Sequence, residues 1–200
     1  MVRNVIFDIG GVVLEWNPDE ILKSFYADPD ARAAMKSALF LHPDWILLDR
    51  GTLEESAALA RLEQRTGRPE QELTGLFAAI RGSLRPKMDT IALLEGLVRH
   101  GVPLYCLSNM PASTFAYLRG RHEFWAWFRG IVISGEVKMA KPEQEIFQYL
   151  LRRYALPAAE TVFIDDHPPN IEAARALGLH AIRFRDARQC GIELERLLQN

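Results

Sequence analysis

The stretch Asn4-Val5-Ile6-Phe7-Asp8-Ile9-Gly10-Gly11-Val12-Val13 decides the fold. Val5, Ile6 and Phe7 form an unbroken apolar run that stops at Asp8 and meets two glycines. This is the pattern of a parallel strand buried on both faces and ending in a tight turn. The design recurs downstream: Pro103 to Leu107 runs into Ser108-Asn109, Ile131 to Ile133 into Ser134-Gly135, and Thr161 to Ile164 into Asp165-Asp166. A fifth run, Ala181 to Phe184, lacks such a polar end. Helical periodicity separates the strands over Thr90 to Arg99, Pro142 to Tyr154 and Asn170 to Leu177, with Pro142 expected at the first helical position and Gly178 at a left-handed helix end. Alternating strands and helices imply parallel βαβ units, hence an α/β fold with a doubly wound parallel sheet. Between the first strand and Thr90 no strand pattern occurs, whereas Glu54 to Arg65 and Gln71 to Arg81 read as helices. The expected division is an α/β core of residues 1–15 and 88–200 with a helical insertion of residues 16–87.

Composition excludes several function classes. Twenty-four Lys and Arg against 26 Asp and Glu leave a formal charge of −2, so no overall field recruits nucleic acid or an anionic membrane. Two cysteines, Cys106 and Cys190, are too few for a disulfide scaffold or a four-ligand zinc site and suit a reducing compartment. The apolar stretch from Val2 to Leu14 is broken by Arg3, Asn4 and Asp8 and falls short of the ~20 residues that span a bilayer. A cytoplasmic monomer or homodimer acting on a small molecule is the expectation.

In an open parallel sheet the ligand crevice lies outside the carboxyl ends of the strands, where Asp8, Ser108-Asn109 and Asp165-Asp166 all fall. One such cluster would read as a helix end or turn, since Asp, Ser and Asn favour both. Three on one edge read differently. Converging carboxylates repel unless a cation sits among them, and oxygen ligands with open positions suit Mg²⁺. Lys141 stands after the third strand, able to point to the same edge. A metal, a lysine, the Ser108 hydroxyl and glycine-turn amides at Gly11 together make a cradle for a phosphoryl group. An aspartate can accept that group as an acyl phosphate and surrender it to water.

These residues resemble the four motifs of the haloacid dehalogenase-like hydrolase superfamily: Phe7-Asp8-Ile9-Gly10-Gly11-Val12-Val13, Leu107-Ser108-Asn109, Ser134-Gly135 with Lys141-Pro142, and Ile164-Asp165-Asp166 with Asn170-Ile171-Glu172-Ala173-Ala174. Order and spacing match over nearly the whole chain, and the insertion falls where that superfamily carries its first type of cap. The resemblance implies a Rossmann-like sheet of order 5-4-1-2-3. It also implies a magnesium-dependent phosphatase acting on a small phosphorylated metabolite, a sugar 1-phosphate among the candidates. Asp8 would be nucleophile and metal ligand, and Gly10 would offer its carbonyl to the metal. Ser108 and the Asn109 backbone would hold a phosphoryl oxygen, and Lys141 would neutralise phosphate and nucleophile. Asp166 would bind the metal directly, Asp165 would hold metal-bound water or Lys141, and Asn170 would act from behind them.

The sequence departs from that family at Gly10, where its phosphatases usually carry a second Asp as general acid and base. Such assistance contributes about 10²- to 10⁴-fold in rate, so a leaving group that needs little protonation is expected. Two other readings follow from the same gap: a 2-haloacid dehalogenase, against which the Asp165-Asp166 pair argues, and a phosphate-binding module without turnover. His167 follows the acidic pair, and its expected place is the first turn of the next helix. Phe124-Trp125-Ala126-Trp127-Phe128 reads as core packing. In the insertion, His42, Trp45 and Arg50 are candidates to read the leaving group, against packing for Trp45 and solvation for Arg50.

Overall fold

The computed structural model describes residues 1–199. Five strands, β1 (Asn4–Phe7), β2 (Leu104–Ser108), β3 (Phe128–Ile133), β4 (Thr161–Asp165) and β5 (His180–Arg183), form one sheet of order β3-β2-β1-β4-β5. Every pairing is parallel, so the expected order 5-4-1-2-3 is the observed one read from the other edge. Phe7 pairs with Cys106 on one side and Ile164 on the other. That register sets Asp8 level with Leu107 and Asp165, and the Asp8 N–H donates to the Ile164 carbonyl at 2.9 Å.

Alternation along β1 fills both faces of the sheet. Val5 and Phe7 belong to one apolar cluster with Leu94, Leu97 and Leu194, whereas Ile6 belongs to another with Phe147, Phe163 and Ile171. Five helices occupy the insertion: α1 (Pro18–Lys23), α2 (Pro29–Ala38), α3 (Pro43–Arg50), α4 (Glu55–Thr66) and α5 (Glu70–Ser83). They close over a third cluster of their own, including Leu22, Leu62, Leu73 and Phe77. The remaining helices are α6 (Met88–Arg99), α7 (Ala112–Arg119), α8 (Ser134–Val137), α9 (Gln144–Arg153), α10 (Pro168–Ala176) and α11 (Ala187–Gln199). Among the described residues no helix is long and apolar enough to cross a membrane.

α4, α5, α6, α9 and α10 lie within two residues of the expected helices, whereas α7 and α11, and α1, α2 and α3 in the insertion, carry no expectation from the sequence. The three helices α1, α2 and α3 each open on a polar residue followed by proline: Asn17-Pro18, Asp28-Pro29 and His42-Pro43. In each, the preceding side chain accepts a backbone N–H of the first turn. Pro142 is corrected: the Lys141-Pro142 bond is cis and α9 begins only at Gln144, so proline sits in a turn that presents Lys141 rather than in the helix. β3 starts three residues earlier than expected because Phe128 leaves the aromatic run to enter the sheet, while Phe124 and Trp125 are buried in the core.

The chain leaves the sheet for the insertion and returns to it side by side. Leu14 bridges Pro86, the Glu15 N–H donates to the Arg85 carbonyl at 2.8 Å, and the Lys87 N–H donates to the Val13 carbonyl at 2.9 Å. Trp16, just beyond this crossing, packs against both the sheet-side cluster and the insertion's cluster.

Candidate active site

Because the strands are parallel and share one register, their polar ends converge. Lys141 Nζ lies 2.8 Å from Asp8 Oδ1 and 2.7 Å from Asp165 Oδ2, with all three side chains almost fully buried. Asp165 is held from behind by the His167 N–H at 2.8 Å and by Asn170 Nδ2 at 3.0 Å to each carboxylate oxygen. Lys141 is positioned through its backbone: the Asn109 carboxamide accepts its N–H and donates to its carbonyl, both at 2.9 Å. This use of the Asn109 side chain escaped the sequence reading, which assigned only its backbone a role. The Ser108 hydroxyl, one residue past the level of Asp8, has no hydrogen-bond partner among the described residues.

Asp8, Asp165 and Asp166 can each offer an oxygen such that all three lie within 4.8 Å of one another. Three carboxylates against one ammonium leave a local excess of two negative charges. Burial, above all, pushes the Asp8 carboxyl up to about 7; Lys141 pulls against it, while Asp165 and Asp166 add to the rise. Burial and Asp165 also raise Asp166. Burial alone would lower Lys141, yet Asp165 and Asp8 outweigh it and hold the ammonium above its ordinary range. The donor set is hard oxygen with a two-charge deficit, which fits a divalent cation such as magnesium.

The glycine turn closes against this cluster. Gly11 has φ of +80°, its N–H donates to the Leu14 carbonyl at 2.8 Å, and a Cβ there would collide with the Asp166 carboxylate. At Gly10 a Cβ would meet only Trp16, at 3.9 Å.

A cavity of about 420 Å³ opens from the carboxylates toward the insertion, with Trp16, Trp45, Ile46, Phe77, Ile80 and Leu84 in its wall. Of the three insertion residues singled out in the sequence, only Trp45 reaches this cavity. His42 precedes α3, where its Nδ1 accepts the Asp44 N–H at 3.1 Å. Arg50 is turned to the core, pairing its guanidinium with the Glu143 carboxylate. His167 lies at the cavity rim, exposed, in the position just before α10. Asp49, which the sequence did not single out, also lines the cavity.

The pattern of the family described as haloacid dehalogenase-like hydrolase matches residues 2–178. The chain belongs to that family. This haloacid dehalogenase-like hydrolase is 32% identical to the sesquiterpene phosphatase astK of Aspergillus oryzae over 196 residues, covering 98% of the chain and 96% of the relative. It is 24% identical over 217 residues to a D-ribitol-5-phosphate phosphatase of Bacteroides thetaiotaomicron, covering both in full. Its fold matches a family enzyme of Bacteroides thetaiotaomicron in complex with magnesium and inorganic phosphate, with a TM-score of 0.72 at 22% identity. That match covers 92% of this chain and 95% of the other.

Proposed function

We propose that this hydrolase is a magnesium-dependent phosphatase whose substrates are phosphate monoesters of apolar alcohols, cleaved through a phosphoryl group carried on Asp8. The observation that carries the reading is the Asp8–Lys141–Asp165 constellation opening directly onto an apolar cavity. Asp8 attacks phosphorus with a carboxylate oxygen, the bond to the leaving oxygen breaks, and water then cleaves the acyl phosphate. Lys141 offsets the charge on Asp8 and on the arriving phosphoryl oxygens, and the free Ser108 hydroxyl donates to one of those oxygens. Asp8, Asp166, the Gly10 carbonyl and Asp165 would hold a magnesium ion, which when bound supplies positive charge that lets two anions meet. Residues 16–87 serve as a cap over the core of 1–15 and 88–200, admitting substrate and shedding bulk water.

The wall of the cavity selects among phosphate esters. Trp16, Trp45, Ile46, Phe77, Ile80 and Leu84 give the cavity an aromatic and aliphatic face that suits a hydrocarbon group. That face, together with a relative named a sesquiterpene phosphatase, favours an apolar ester over the sugar 1-phosphate expected from the sequence. Assays with magnesium should give kcat/KM at least about tenfold higher for prenyl and medium-chain alkyl phosphates than for sugar 1-phosphates, a factor worth about 1.4 kcal/mol. Equal or reversed preference would remove the apolar class. Activity that persists after full chelation by EDTA, with halide released from a haloacid, would establish the dehalogenase reading instead.

Gly11 provides a second check on the metal. Gly11→Ala strains a left-handed residue and pushes on Asp166. Magnesium affinity, measured by titration calorimetry, should weaken about 10- to 100-fold. Unchanged affinity would remove Asp166 from the proposed ligand set.

A further inference from the structure

We propose that Asp49, supplied by the helical insertion, is the general acid and base that this hydrolase lacks at Gly10. The inference rests on the phosphatase reading above and assigns the proton transfers that reading leaves open. Asp49 lies in the last turn of α3 and lines the cavity that Asp8 and Lys141 also line. The residue is 9% exposed, and its carboxylate has no hydrogen bond or ion pair with any group among the described residues. A buried carboxyl without a partner is costly unless it is protonated or awaits one. Here the substrate's bridging oxygen would be that partner.

The core fixes the turn that carries Asp49. Ser134 Oγ donates to the Asp49 carbonyl at 2.5 Å while accepting the Met110 N–H at 2.9 Å. Lys138 Nζ donates to the Gly51 carbonyl at 2.5 Å, and Glu143 takes the Arg50 guanidinium. Three core residues thus pin residues 49–51, so that Asp49 is carried on a fixed backbone at the edge of the cavity that Asp8 opens onto. Burial, with the Asp8 charge behind it and Lys141 opposing, pushes the Asp49 carboxyl up to about 7, near the pH at which both protonation states are useful. The other acids of the cavity are committed elsewhere. Glu55 accepts from Arg81 at 2.8 Å, and Asp166 belongs to the carboxylate cluster.

The chemistry balances. As the Asp8 oxygen bonds to phosphorus and the ester P–O bond breaks, the Asp49 proton passes to the departing alkoxide oxygen, releasing the alcohol. Water then attacks the acyl phosphate, Asp49 takes its proton, and the P–O bond to Asp8 breaks to give phosphate and the free Asp8 carboxylate.

The test compares the wild-type chain with Asp49→Asn and Asp49→Ser, each with magnesium, on p-nitrophenyl phosphate and on octyl phosphate. Melting curves identify which variants are folded, and either one decides the matter. Asp49 as acid and base predicts that octyl phosphate turnover falls about 10²- to 10⁴-fold. The first release of p-nitrophenol, which needs little protonation, should fall less than about tenfold because most of the effect lies in leaving-group protonation. The variant should then show a burst of one p-nitrophenol per chain followed by slow turnover, with a phosphate mass on Asp8, since the water step has lost its base. Asp49→Glu, which keeps a carboxyl, should recover part of the octyl phosphate rate. Equal losses on both esters without a burst would overturn the role, as would an unchanged octyl phosphate rate, which would pass the proton transfer to His167 or to solvent. Absence of magnesium-dependent p-nitrophenol release by the wild-type chain would instead overturn the phosphatase reading, and this inference with it.

Discussion

Asp8→Asn abolishes turnover while leaving the chain folded. The carboxamide matches the carboxylate in shape but cannot accept the phosphoryl group, and loss of a covalent nucleophile costs up to about 10⁶-fold in rate. Steady-state release of p-nitrophenol with magnesium should fall by at least about 10⁴-fold on the same reasoning. Stability should move the other way. Asp8 is 8% exposed and its charge is opposed by burial and by Asp165 and Asp166, so a neutral side chain there relieves repulsion in the metal-free protein. Its melting temperature should equal or exceed that of the wild type in EDTA. The folded pKa is raised from the ordinary 3.8 to about 7, so the folded chain keeps a proton that the unfolded chain has released across that interval. The benefit of removing Asp8 should therefore grow as pH rises through it. A variant within about tenfold of wild-type activity would dismiss the Asp8 phosphoenzyme, because general electrostatic help alone does not replace a nucleophile.

Lys141→Met has the largest expected effect on stability. The ammonium is the shared partner of Asp8 and Asp165, both buried, at 2.8 and 2.7 Å. Removing one partner of a buried ionic group leaves charge without compensation and typically costs about 3–5 kcal/mol. Denaturant unfolding in EDTA should register a loss of that order, and turnover should disappear with the positive charge. The loss should be strongly non-additive. In Lys141→Met combined with Asp8→Asn one of the stranded carboxylates is gone, so the double variant should be more stable than Lys141→Met alone. Because the Lys141 pKa is raised above its ordinary 10.5, its contribution is fully present below that value and is lost only as pH climbs beyond it. The ammonium thus stays charged across neutral pH, and the cost of removing it should grow as pH rises through about 7, where Asp8 loses its proton and is left without a partner. A Lys141→Met chain as stable as wild type would show that Asp8 and Asp165 are not held by this lysine.

The parts of the site that the sequence disclosed are those governed by local pattern and sheet topology. An apolar triplet ending in Asp8, and the same ending at Ser108 and Asp165, announces parallel strands, and parallel strands bring their ends to one edge. The Asn109 carboxamide grip on Lys141 spans 32 residues of sequence and has no local signature. Asp49 sits in Leu47-Leu48-Asp49-Arg50-Gly51, where it reads as one of two solvated charges at a helix end. It is buried in the structure, where Ser134 and Glu143, 85 and 93 residues away from Asp49 and Arg50, receive that turn. The start of β3 was hidden for another reason: Phe128 shares the composition of the aromatic run before it, and only backbone pairing with Leu104 separates strand from 3₁₀ turn.

The paired crossing at Leu14 and Pro86 means that the chain enters and leaves the insertion through a single doorway in the core. An exchanged insertion would leave the sheet's own pairing in place, provided that its turn still meets Ser134, Lys138 and Glu143. With Asp49 riding on the exchanged piece, a graft would transplant the chamber for the alcohol together with the proton that frees it, so new substrates and the means to release them would arrive as one heritable unit.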